Sequence, residues 1–269
     1  MSTHDPIVHG YHVVELPPFI LILPFFMATI FYLFSVVISN RKHKKWPVSR
    51  TVCWLIGICS VGLALAGPLA EKANEDFTVH MIGHILLGML GPLLLVLAAP
   101  MTLFLRTLDV RVARRLTKLL NSMPMRVVMD PVMASLLNVG GLWLLYTTNL
   151  WTSMHENSMI HVLVHFHVFL AGYVFTQSMI YIDPTPHRTS YRYRSIMLVI
   201  ALAGHGILSK YIYAHPPMGV SPLQAEIGAM IMYYGGDMIE VILIYILCRQ
   251  WYKAGRPLGA RRVTPNPNH

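Results

Sequence analysis

Histidines four residues apart occur twice in this chain: His80 and His84 in "FTVHMIGHILLG", and His161 and His165 in "NSMIHVLVHFHVF". On a helix each pair projects two imidazoles from one face, the second ring about 6 Å beyond the first at a rise of 1.5 Å per residue. Neutral imidazole suits Zn, Cu, Fe and Ni, so two such pairs on facing helices would form a four-nitrogen metal site. His167 lies roughly 200° around the helix from His165, at about 100° per residue, which makes it a candidate for the shell around that site. Haem held by axial histidines is the other chemistry the pattern admits. A lone histidine in an apolar helix is more often a hydrogen-bonded packing residue than a ligand, so the reading rests on repetition.

These histidines stand in segments that belong in hydrocarbon. Of 269 residues, 55% are hydrophobic and 12% charged, against roughly 25% charged in soluble domains; mean hydropathy is +0.52. Apolar runs near residues 17–39, 51–70, 80–104, 131–151, 158–182, 194–214 and 224–248 each approach the ~20 residues that span a ~30 Å core. The pattern predicts an all-α polytopic membrane protein, a bundle of seven transmembrane helices over 17–252, between a leader at 1–16 and a disordered tail at 253–269. The leader shows no basic stretch or small-residue cleavage site, so the first span is expected to persist as an anchor.

Lys and Arg give the orientation. All except Lys72 and Lys210 fall in "NRKHKKWPVSR", "RTLDVRVARRLTKLLNSMPMR", "HRTSYRYR" and the segment from "RQWYKAGRPLGARR" onward, after the first, third, fifth and seventh spans. The N-terminus is therefore expected outside and the C-terminus in the cytoplasm. The net charge of +9 is then a topology signal that also meets anionic lipid, and no nucleic-acid partner is implied. Leu105, Leu108, Val112, Leu116 and Leu119, with Arg111, Arg114, Arg115 and Lys118 between them, suggest a helix lying on the inner leaflet or a short solvated one that only sets topology. Cys53, Cys59 and Cys248 lie in or beside spans and predict no disulfide framework.

With that orientation the third and fifth spans both run inward, so both histidine pairs meet the outer leaflet. Gly88, Gly91 and Gly172 below them would allow close helix approach. Met81, Met89, Met154, Met159 and Met218 in the outer half add thioethers, which suit Cu(I), although most methionines in such a chain serve packing. If Met1 is removed, the amine, two backbone nitrogens and His4 would offer Cu(II) a square-planar set; most such N-termini are accidental. A deeper polar layer comes from "GHGILSKYIYAH" and "MYYGGDMIE": His205, Lys210, Tyr233, Asp237 and Glu240. Ionisable groups at that depth are expected to face the bundle interior, with His205 pairing Asp237 and Glu240 a turn below. They would orient the histidine site from behind, carry protons in a transporter, or clasp two helices. A retinal protein is excluded, because the last span has no lysine.

"HMIGHILLGMLGPLLLVLAAPMTLFLR", "HVLVHFHVFLAGYVF", "DPTPHR", "GHGILSKYIYA" and "MYYGGDMIE" resemble, in matching order over about residues 77–252, the CtaG-type cytochrome c oxidase assembly family. The resemblance implies a non-enzymatic, multi-pass factor of the bacterial cytoplasmic (inner) membrane. Such a factor would deliver copper, as Cu(I), to the catalytic subunit of a haem-copper oxidase, and a soluble extracytoplasmic donor is a candidate source. It places His80, His84, His161, His165 and His167 in metal handling and leaves His205, Lys210, Asp237 and Glu240 as motif positions of open purpose. The chain departs from cysteine-based copper chaperones, having no cysteine at the outer mouth. The alternatives are a haem-binding protein or enzyme, and a proton-coupled copper transporter using Asp237 and Glu240.

Overall fold

The computed structural model describes residues 19–185 and 187–255; His4, the leader and the tail beyond Gly255 lie outside them. Among the described residues every regular element is helical, the arrangement that satisfies backbone groups within a segment when no water is at hand. The helices are α1 (Phe19–Lys42), α2 (Val48–Leu65), α3 (Pro68–Ala73), α4 (Phe77–Leu97), α5 (Pro100–Thr107), α6 (Val110–Leu120), α7 (Met123–Val128), α8 (Pro131–Thr147), α9 (Leu150–Glu156), α10 (Ser158–Met179), α11 (Tyr191–Ala214) and α12 (Pro222–Gly255). Six of them, α1, α2, α4, α10, α11 and α12, are long and apolar enough to cross a membrane. The run expected at 131–151 forms the shorter apolar helix α8, because Thr148 is extended and α9 starts afresh at Leu150. Helix α12 continues past the expected boundary at 252 to Gly255.

Helix α4 is the hub. It packs against α2, α10 and α12, and 56% of its span is buried, against 11% for α1. The starts of α4 and α10 are fixed by side-chain caps. Asp76 accepts from the Thr78 amide, and Asn157 accepts from those of Met159 and Ile160, filling donors that a helix start leaves open. His80 and His161 each stand four residues past their cap. Both α4 and α8 contain a π-turn, at Leu86–Leu90 and Leu136–Gly140, a local widening that often accompanies function.

The basic segments gather at one end. Arg106 donates to the Lys44 carbonyl at 2.9 Å and lies over Trp46, His43 bonds the Arg106 carbonyl at 3.0 Å, and Arg126 donates to His187 at 2.8 Å. The expected surface helix is interrupted: Leu108 is extended and Asp109 opens a new helix, α6, which has no buried residue and exposes Val112 and Leu119.

Asp183 ties this end together. Its carboxylate accepts from the Met101 amide at 3.1 Å, the Thr102 amide at 2.7 Å and the Thr102 hydroxyl at 2.6 Å, so it caps α5 from a distant loop. Burial pushes the Asp183 carboxyl above its ordinary value, against these hydrogen bonds and the Arg50 charge, which favour the ionised form. Asp183→Ala is expected to cost roughly 0.5–2 kcal/mol, the usual worth of a cap, read as a lower thermal midpoint in detergent. An unchanged midpoint would mean that the cap contributes nothing.

Candidate metal centre

The site begins with a helix crossing. A Cβ on Gly172 of α10 would overlap the carbonyl oxygen of Gly88 on α4, so only glycine permits this approach. Gly91 serves a different neighbour: a Cβ there would stand 2.7 Å from Val61 on α2.

Above the crossing, His80 of α4 and His165 of α10 face each other with ring centroids 6.4 Å apart. His161 stacks on His165 at 4.1 Å. His165 donates through Nδ1 to the His161 carbonyl at 2.9 Å, which leaves its Nε2 lone pair for a ligand. The Nε2 of His80 lies 3.2 Å from the Tyr146 hydroxyl, and its ring packs edge-on against Trp151 at 4.7 Å. His80, His84, His165, Tyr146 and the Met154 side chain line one cavity of about 30 Å³. A space of that size has room for an ion or a water.

The two rings of α4 do not converge on one point. His84 turns toward His205 of α11, with centroids 6.3 Å apart and ring planes at 32°. Its Nε2 is buried without a hydrogen-bond partner, as is that of His205. His167 points away from both, donating through Nε2 to the Leu137 carbonyl at 3.1 Å and packing on Gly141, so it clasps α10 to α8. Among the described residues no three His, Cys, Asp or Glu side chains converge as metal ligands, so the expected four-nitrogen site is not formed as such.

In the deeper layer His205 is paired with Glu240, not with Asp237: Nδ1 and Oε1 are 3.2 Å apart and both side chains are buried. Helix α12 turns Met232, Gly236, Glu240, Leu243 and Leu247 inward at spacings of four and three. Asp237, one step of about 100° from Gly236, is exposed. A Cβ on Gly236 would stand 2.6 Å from His205 Cε1, so that glycine makes room for the ring. Lys210 is exposed with its ammonium 5.4 Å over the Tyr233 ring. Of the outer-half methionines, Met154 lines the upper cavity and Met89 a lower one, Met81 is core, and Met159 and Met218 are exposed. Tyr146 and Asn138 escaped the sequence reading; the signal available was a polar residue inside the apolar run 131–151.

Residues 30–254 match the family of the cytochrome c oxidase caa3 assembly factor. The chain is 28% identical over 251 residues to an uncharacterized protein of Mycobacterium leprae, covering 86% of this chain and 38% of that one. It is 31% identical over 243 residues to uncharacterized proteins of Mycobacterium bovis and Mycobacterium tuberculosis, covering 82% of this chain and 37% of each. The chain thus spans less than two fifths of the length of these relatives. No solved structure matches it.

The crossing can be tested by contrast. Gly172→Ala forces α10 off α4 and is expected to destabilise by roughly 1–3 kcal/mol, as overpacking does. Gly62→Ala, where a Cβ meets nothing within 4 Å, should be neutral or stabilising by up to about 1 kcal/mol. Thermal unfolding in detergent reads both, and equal effects would argue against a tight crossing.

Proposed function

The chain belongs to the cytochrome c oxidase caa3 assembly factor family, and from that premise we propose that it carries copper at its outer face for a haem-copper oxidase, passing the ion to the catalytic subunit without performing catalysis. The observation that carries this reading is the His80–His165 pair across one ion-sized cavity. Two ring nitrogens each about 2.0 Å from a shared ion, on rings of about 1.1 Å radius, put collinear centroids about 6.3 Å apart; the rings stand at 6.4 Å. That spacing, with the ring planes at 84°, supports the reading.

The ligand chemistry favours Cu(I) as cargo. Neutral imidazoles with the neighbouring Met154 thioether suit a soft monovalent ion, and the lack of thiolates keeps the hold loose enough for onward transfer. His161 braces His165, Tyr146 positions His80, and His167 supports the arrangement by holding α10 on α8. In this reading α8 crosses the bilayer as well, giving seven passes with the N-terminus outside and the C-terminus in the cytoplasm of a bacterium. The clustering of the basic segments at one end supports it. A soluble extracytoplasmic donor would load the site.

Haem finds less support, since the cavity bordered by His80 and His165 is small. A proton path through Asp237 and Glu240 is disfavoured because Asp237 is exposed while Glu240 is buried against His205.

Purified protein loaded anaerobically with Cu(I) and cleared of loose metal should lose one copper per chain when His80 and His165 are both changed to Ala, with the melting midpoint held. Elemental mass spectrometry reads the stoichiometry. Full copper content in the double variant would remove the pair from the proposal.

A further inference from the structure

The family reading accounts for the upper cavity and leaves a second one unexplained. Directly below it, His84, Met89, Asn138, Thr176, His205 and Glu240 border another space of about 30 Å³. Both π-turns feed it: Met89 comes from the one in α4 and Asn138 from the one in α8. His84 and His205 are 6% and 5% exposed, and each holds a buried Nε2 that no protein group satisfies. One such orphan costs about 1–3 kcal/mol. Two facing a shared void call for a ligand that accepts both lone pairs.

We propose that this lower cavity is a second site for a soft monovalent metal ion, held between the imidazoles of His84 and His205 with the Met89 thioether beside them and the Glu240 carboxylate orienting His205. The centroid spacing of 6.3 Å equals the about 6.3 Å expected for two imidazoles sharing one ion. The Nδ1 of His205 faces Glu240 at 3.2 Å, the carboxylate-to-histidine arrangement that fixes the ring of a metal ligand and raises its basicity. Among the described residues Glu240 is the only carboxylate on the cavity wall. A single buried negative charge balances a monovalent cation and leaves the low-dielectric interior neutral, whereas a divalent ion would leave a net charge there.

The two sites repeat one plan. Each sets one histidine of α4 against one histidine of a neighbouring helix, with a methionine at hand, and the four-residue step from His80 to His84 separates them by about 6 Å along the helix. An ion can thus move inward from one imidazole pair to the next. This rests on the copper-handling reading for the identity of the cargo, but its ligands do not overlap the His80–His165 pair.

The experiment uses Ag(I), a redox-inert stand-in for Cu(I), with the full chain labelled with ¹⁵N-histidine in detergent. The expected result is two ions per chain and two pairs of silver-coupled imidazole nitrogens. His205→Gln should bind one ion and lose one coupled pair, and His165→Ala should bind one and retain the other pair. If His205→Gln fails to fold, the coupled pair that survives in His165→Ala carries the test. The proposal is overturned if His205→Gln still binds two ions, if the unaltered protein shows a single coupled pair that His205→Gln leaves intact, or if His165→Ala abolishes all coupling. Retention of two ions by His165→Ala beside loss in His205→Gln would overturn the upper site and leave this one standing.

Discussion

An imidazole nitrogen placed in hydrocarbon must find a partner, and the interior of this bundle is organised around that demand. Leaving a buried donor or acceptor unpaired costs about as much as a whole hydrogen bond contributes, or more. His165 answers it with the His161 carbonyl, His167 with the Leu137 carbonyl, His80 with the Tyr146 hydroxyl and His205 with the Glu240 carboxylate. After these pairings the Nε2 atoms of His84 and His205 still lack one. Packing alone gives no reason to keep two such atoms facing one cavity. The proposed cargo would supply one.

The architecture follows from bringing those rings together. Gly88 and Gly172 let α4 and α10 touch backbone to side-chain-free backbone, and Gly236 does the same service for His205 against α12. The caps at Asp76 and Asn157 fix the starts of α4 and α10. Asp183 then fixes the opposite end, joining the loop after α10 to the helix after α4. A rigid frame matters here, because a two-nitrogen site works only if its rings stay at ligand spacing.

Much of this was legible in the residues. Apolar runs of near-spanning length located the helices, since hydrocarbon thickness imposes their length, but not all their ends: α4 stops at Leu97 against an expected 104, and α12 runs to Gly255 against 248. The i, i+4 histidine pairs and the glycine crossing were also readable, because helical spacing is local information. What failed was rotation. Sequence spacing placed Asp237 nearest His205, yet a step of one residue turns a side chain about 100°, and the contact of α11 with α12 selected Glu240. The same ambiguity hid the separation of His80 from His84 into different partnerships: both share one face of α4, but the facing helices differ at each level. Long-range capping by Asp183 could not be read at all, since nothing in "DPTPHR" names its partner 81 residues away.

The account stands on copper being held by imidazole pairs that α4 makes with its neighbours inside the membrane. A crystal of the copper-loaded protein, with an anomalous-difference map at the copper edge, tests this most directly. The predicted map has density between the rings of His80 and His165, above the Gly88–Gly172 crossing. Density confined to the cysteines or the protein surface, with those rings empty, would contradict it.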